Sequence, residues 1–131
     1  NILEDFIKKD QIPVISPLGK DEENFTYNIN ADTVAGFVAG ELKASKLLLL
    51  TDVPGIFNEE KKLISSLTLK EAIEISGMDY ISGGMKPKIQ TCIDAMEKGV
   101  SKSTILDGRI PHSVILELFT EHGIGTQISN N

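Results

Sequence analysis

The 131-residue chain carries 13 Lys and Arg against 19 Asp and Glu, a formal net charge of −6, with 40% hydrophobic and 24% charged residues. That balance excludes a disordered tract, and it argues against a general binder of nucleic acid or anionic membranes, since no basic excess exists to neutralise phosphates. No apolar run approaches the roughly 20 residues that cross a bilayer. The length accommodates one domain with a real core, burying roughly two-thirds of the unfolded surface. A single cysteine, Cys92, forbids an intrachain disulfide and points to a reducing, cytoplasm-like compartment, a plastid being the other such compartment left open. An anionic small molecule stays compatible with the acidic balance, because a few local cations and helix N-termini can hold one.

In chain order, Ile12 to Leu18 is a short apolar run closed by Gly19-Lys20, which predicts a buried strand. A polar turn at Asp21 to Asn24 leads into the β-prone Phe25-Thr26-Tyr27. Val34, Phe37, Val38 and Leu42 recur at helical spacing, with Asn30 or Asp32 available as cap. Leu47 to Leu50 is too short for a membrane span and too uniformly apolar for a surface helix, so a strand covered on both faces is expected. Thr51 to Gly55 ends that strand as a loop, with a second strand expected near Ile56-Phe57. Thr68-x-x-Glu71 is a capping-box pattern opening a short helix. After the flexible Ser82-Gly83-Gly84, a longer helix carries Met85, Ile89, Cys92, Ile93 and Met96 on one stripe and stops at Gly99. A strand at Thr104 to Leu106, a helix over Ser113 to Phe119 and a strand over Gly125 to Ser129 complete an α/β pattern. The expected fold is a largely parallel sheet with helices on both faces.

Ligands of open α/β sheets bind beyond the carboxyl ends of the strands. Three segments there have polar or glycine-rich content: Asn28 to Asp32, Thr51 to Gly55, and Ser82 to Lys88. Each has an ordinary structural reading as cap, turn or chain break. Asn28 and Asn30 alternate with Ile29 and so face one side, while Asp32 sits at a helix start where its charge is favourable. Lys86 and Lys88 are less ordinary. They fall in the first helical turn, where a cation opposes the helix dipole unless an anion is bound there. His112 and His122 lie ten residues apart with Cys92 remote, matching no metal-ligand spacing, and Cys92 falls on an apolar stripe. No metal site is expected.

The strings TYNINADTVAG (Thr26 to Gly36), LLLLTDVPGIF (Leu47 to Phe57), SGGMKPK (Ser82 to Lys88) and ILDGRIPHSVILELFTEHGIGT (Ile105 to Thr126) occur in this order. They closely resemble the acetylglutamate kinases of the amino-acid kinase family, whose carbamate kinase-like fold is then expected. Kinases of aspartate, glutamate, carbamate and uridylate share that fold and the Thr-Asp-Val loop. The resemblance implies ATP-dependent phosphorylation of the side-chain carboxylate of N-acetyl-L-glutamate to an acyl phosphate, in arginine biosynthesis. By it, Lys88 stabilises the transition state, Asp32 organises the catalytic lysines, and Asn28 binds acetylglutamate. Asp52, Val53, Pro54, Gly55, Ile56 and Phe57, with Tyr80, Ile81 and Ser82, line the nucleotide site, and Mg2+ bridges the ATP phosphates.

The family's N-terminal amino-acid-binding half, with its glycine-rich loops and second catalytic lysine, has no counterpart in the chain. Residues 1–131 are therefore expected to form a single C-terminal nucleotide-binding domain that does not turn over alone. Glu117, Gly123 and Gly125 match an arginine effector pocket, although arginine-inhibited members carry a histidine where Thr104 stands. Two other readings compete: a non-catalytic arginine- or nucleotide-binding module, and a related kinase with another acceptor. The expected partners are small molecules, with no nucleic acid or membrane, and a homo-oligomer at full length.

Overall fold

The computed structural model describes residues 2–130. Its centre is a four-stranded sheet in the order β3-β5-β6-β4, built from β3 (Lys46–Thr51), β4 (Ser66–Thr68), β5 (Lys102–Asp107) and β6 (Thr126–Ser129). β3 and β5 pair in parallel, as do β4 and β6, while β5 and β6 run antiparallel. The sheet is thus mostly parallel, with one antiparallel seam at its middle. A separate antiparallel hairpin joins β1 (Leu18–Lys20) to β2 (Thr26–Asn28).

Strand alternation sorts the side chains between two faces. Leu47, Leu49, Ile105 and Ile128 point into a core shared with Ala72, Ile75, Ile89, Cys92, Ile93 and Met96. Those partners come from α3 (Leu69–Ser76) and α4 (Met85–Glu97), with Ala39 added by α2 (Ala31–Glu41). Burying each large aliphatic side chain contributes about 1.5–3 kcal/mol before entropy is counted. Cys92 is part of this packing, and burial pushes its thiol up to about 12, leaving it inert as a nucleophile. Thr104 points the other way, toward α5 (Ser113–Phe119), whose Glu117 it meets. Helices therefore cover both faces.

The helix boundaries follow from local chemistry. Asn30 caps α2 by accepting from the Thr33 amide at 3.1 Å. Thr68 and Glu71 form the reciprocal capping box of α3: the Thr68 hydroxyl accepts from the Glu71 amide and the Glu71 carboxylate from the Thr68 amide.

Three expectations need correction. Ile12 to Leu18 is not a buried strand: only Leu18 joins a strand, and Ile12 and Val14 are 90% and 95% exposed. Pro13 and Pro17 cannot donate to a ladder, and no strand among the described residues lies beside this run. Leu47 to Leu50 is an edge strand rather than a fully covered one, with Leu50 47% exposed. Ile56-Phe57 forms no strand but a single bridge from Phe57 to Leu63. Short α1 (Ile2–Ile7) had no periodic signal long enough to foresee it.

Leu49 is 3% exposed between β5 and the helices. Leu49→Asp places an unpaired carboxylate there, at a cost of several kcal/mol, and should abolish the cooperative thermal transition followed by circular dichroism. A soluble variant melting near the wild-type temperature would show that β3 is peripheral to stability.

Candidate active site

β3 and β5 end side by side, with Thr51 opposite Asp107. From there the chain turns through Asp52 to Phe57, and this loop faces the segment leading into α4. Between them lies a cleft of about 340 Å³ whose wall includes Thr51, Asp52, Val53, Gly55 and Phe57 on one side and Tyr80, Ile81, Ser82, Gly84, Met85 and Lys88 on the other. Seven of the nine residues expected to line a nucleotide site are on this wall. The other two, Pro54 and Ile56, are not on it. Ile56 is fully buried in the core, and its backbone rather than its side chain serves the loop.

α4 opens onto the cleft without a side-chain cap. Gly83 adopts φ of 58°, a conformation L side chains rarely take, and a Cβ at Gly83 or Gly84 would meet nothing within 4 Å. The glycines leave open room at the positive end of a 13-residue helix, where the Met85 amide donates to Ser82 O at 3.4 Å and Pro87 carries no N–H. Lys88 lies at the end of that first turn. Its ammonium donates to Asp32 Oδ2 at 2.7 Å, with both side chains about four-fifths shielded. Asp32, in the first turn of α2, is favoured there by that helix's own dipole. The ion pair spans 56 residues of sequence.

The meeting requires α2 and α4 to pack closely. A Cβ on Gly36 would come within 2.6 Å of Thr91 Cγ2, and one on Gly40 within 2.8 Å of Lys98 Cδ. This Gly-x-x-x-Gly spacing was a readable signal for close helix contact that the caps and apolar stripe had overshadowed. Asn28 lies elsewhere, in a shallow hollow of the hairpin with Lys20, Asp21 and Tyr27, and is exposed. Asn30, expected to share its side, lines the same hollow, and its side chain caps α2.

Behind the cleft, Asp107 holds Arg109 by a two-pronged contact, Nε to Oδ1 at 3.0 Å and Nη2 to Oδ2 at 2.8 Å, while the Arg109 amide donates to Oδ1. The guanidinium and amide of Arg109 hold the Asp107 carboxyl well below its usual range, at about 2. The Gly108 amide donates to Thr51 O at 2.9 Å, fastening this corner to the cleft loop.

On the α5 face, Glu117, Gly123 and Gly125 come together in a polar hollow of about 540 Å³ with Lys46, Lys102 and His122. Glu117 Oε1 accepts from Lys46 Nζ at 2.9 Å and Thr104 Oγ1 at 3.1 Å; Oε2 accepts from the Ile124 amide at 2.9 Å. Burial pushes the Glu117 carboxyl up, but the Ile124 amide and the Lys46 ammonium outweigh it and hold the group below its usual value. Lys46 was not foreseen here, because it lies at the start of β3, far from Glu117 in sequence. His112 takes a left-handed conformation ahead of α5, and among the described residues no three His, Cys, Asp or Glu converge as a metal site.

The model of the amino acid kinase family matches residues 1–107. The chain belongs to the amino acid kinase family. Among curated relatives, the acetylglutamate kinase of Mesorhizobium japonicum is 52% identical over 127 residues, covering 97% of this chain and 43% of that protein. The acetylglutamate kinase of Oleidesulfovibrio alaskensis is 56% identical over 118 residues, covering 90% of this chain and 40% of that protein. The chain thus spans less than half the length of the curated relatives it matches. Among solved structures, N-acetylglutamate synthase from Neisseria gonorrhoeae, complexed with coenzyme A and L-arginine, superposes with a TM-score of 0.92 at 31% identity, over 99% of this chain and 30% of that one. Giardia carbamate kinase, at 18% identity, matches with a TM-score of 0.73 over 99% of this chain and 47% of that one, a likeness of fold alone. The expected α/β fold of this family is the fold observed.

The Asp107–Arg109 fork yields a pH prediction. A carboxyl held at about 2 when folded, against 3.8 ordinarily, contributes stability that is present above pH 3.8 and lost as pH falls through 2. In Arg109→Met the Asp107 resonance should titrate above its wild-type value in a carbon-detected NMR titration, with the retained amide of residue 109 still holding it below the ordinary carboxyl value. The stability gap from wild type should open above pH 4 and close below pH 2. An unchanged Asp107 titration would show that the fork is not formed in solution.

Proposed function

We propose that the chain supplies the ATP-binding half of an acetylglutamate kinase, which transfers the γ-phosphoryl group of ATP to the side-chain carboxylate of N-acetyl-L-glutamate. The observation that carries this reading is Lys88, held by Asp32 at 2.7 Å beside the uncapped N-terminus of α4, on the wall of a cleft at the strand ends. Identity above 50% to acetylglutamate kinases, over nearly the whole chain, supports the choice of acceptor.

In this reading the half-apolar wall formed by Val53, Phe57, Tyr80 and Ile81 takes the flat base, and the exposed carboxylate of Asp52 faces the ribose. The phosphates lie in the open room beside Gly83-Gly84, at the positive end of α4. An oxygen of the acceptor carboxylate attacks the γ-phosphorus, the bond from that phosphorus to the bridging oxygen of ADP breaks, and an acyl phosphate and ADP result. The carboxylate is already ionised near neutral pH, so no general base is needed. Catalysis consists of aligning two anions and neutralising the charge on the transferring group. Lys88 does the latter, and Asp32 fixes the direction of its ammonium without displacing it from the cleft. Asn28 is assigned to acetylglutamate at the hairpin. The nucleotide is taken as MgATP, whose Mg2+ would neutralise part of the phosphate charge. The reaction belongs to arginine biosynthesis, in the cytoplasm, in an enzyme that assembles as a homo-oligomer at full length.

To test this, the chain is grafted in place of the matching segment of the Mesorhizobium japonicum relative, and ADP formation is followed with and without acetylglutamate. Acetylglutamate-dependent turnover is expected. Lys88→Ala should reduce kcat by roughly two to three orders of magnitude, the usual effect of losing one transition-state charge contact. A graft that turns over equally well with another acceptor, or ignores Lys88→Ala, overturns the assignment.

A second reading, compatible with the first, makes the α5-face hollow an arginine effector site, supported by the buried Glu117 beside Gly123 and Gly125. Calorimetric titration of the chain with L-arginine should show binding that Glu117→Gln weakens at least tenfold. No heat of binding at millimolar arginine would leave Glu117 a purely structural anchor.

A further inference from the structure

Thr126 is fully buried, and its hydroxyl makes two hydrogen bonds that belong to neither the cleft wall nor the α5-face hollow. Oγ1 accepts from the Ile56 amide at 2.8 Å and donates to the Ile64 carbonyl at 2.6 Å. Ile56 and Ile64 are themselves joined, Ile64 N to Ile56 O at 2.8 Å, and the Phe57–Leu63 bridge continues outward to the Asn58–Lys62 turn. The stretch from Ile56 to Ile64 is therefore a small closed loop, and Thr126 grips both arms of its base.

The residues flanking Ile56, Gly55 and Phe57, line the cleft. Gly55 lies so close to Thr126 that a Cβ would come within 2.5 Å of Oγ1 and 3.0 Å of the Thr126 amide. Because the hydroxyl proton is committed to Ile64 O, only the oxygen lone pairs are left for Ile56 N–H, and the two bonds together set the height of the loop.

We propose that Thr126 is a positioning residue of the nucleotide cleft. From the first residue of β6 it fixes the wall that Gly55 and Phe57 present to the base and ribose. It touches no substrate and acts through the backbone of Ile56. On the other side, the adjoining Gly125 amide lies 3.4 Å from Glu117 Oε2, so the same turn anchors the polar hollow across the sheet. The proposal rests on the nucleotide reading of the cleft.

The test compares wild type, Thr126→Ser and Thr126→Val by calorimetry with MgATP at a temperature where all three are folded. The same substitutions are assayed kinetically in the graft described above. Ser retains both bonds and should bind within about twofold of wild type. Val has nearly the same shape but neither bond, and should bind ATP about tenfold more weakly. In the graft, Val should raise KM for ATP with little change in kcat or in KM for acetylglutamate. A merely structural role predicts a lower Tm for Val with unchanged ATP affinity in the folded protein, and that result overturns the proposal. Wild-type protein that binds no ATP overturns the nucleotide reading instead. Should Val fail to fold, amide exchange on the wild type decides: saturating MgATP should slow exchange at Ile56 at least tenfold, and an Ile56 amide indifferent to ATP refutes the clamp.

Discussion

α2 and α4 touch across two glycines one helical turn apart, and the position of Lys88 in the cleft descends from that contact. Gly36 accommodates Thr91 and Gly40 accommodates Lys98 at distances no side chain would permit. With the helices so close, Asp32 at the start of one reaches Lys88 at the start of the other. A methyl group at either glycine would force the axes apart. The 2.7 Å ion pair would lengthen first, since it sits at the end of the contact and has the least packing to restore it. α4 is meanwhile anchored from behind by Ile89, Cys92, Ile93 and Met96 against the sheet. Its first turn, with the uncapped amides and Lys88, is thus located by packing on two sides rather than by the loop that precedes it.

The sheet separates two polar systems. On one side of the strand ends, an acidic chain assembles an electropositive point from one lysine and a helix terminus. On the α5 face it buries a carboxylate and surrounds it with an ammonium, a hydroxyl and backbone amides. The net charge of −6 is therefore a poor guide to either place. What decides local potential is which charges are shielded from water and which are left to it.

Legibility in the sequence followed the range of the interaction. Caps are local, and the Thr68–Glu71 box and the Asn30 cap could be read from four consecutive residues. The stripe on α4 was equally plain. Lys88 stood out because two lysines in a first turn contradict helix design, and Asp32 because of the resemblance. Thr126 gave no such sign: a threonine opening a strand is ordinary, and its partners lie 70 and 62 residues away. Lys46 likewise looked like a polar strand end, and only the fold brings it to Glu117, 71 residues on. The error at Ile12 to Leu18 has a different origin. Periodicity reports what a segment would do beside a neighbouring strand, and it cannot report whether one is there.

That run has a colloidal consequence. Ile12 and Val14 stand almost wholly in solvent, and the nearby apolar side chains of Ile2 and Phe6 share the same hollow. β3 adds an unpaired ladder edge among the described residues, with Leu50 half exposed along it. Exposed apolar area of this kind attracts its like on a second molecule, while Pro13 and Pro17 keep the run from adding to the β3 edge as a strand. Rising concentration therefore favours stacking of copies through these apolar surfaces. The charge of −6 opposes such stacking at low ionic strength, and salt removes that opposition.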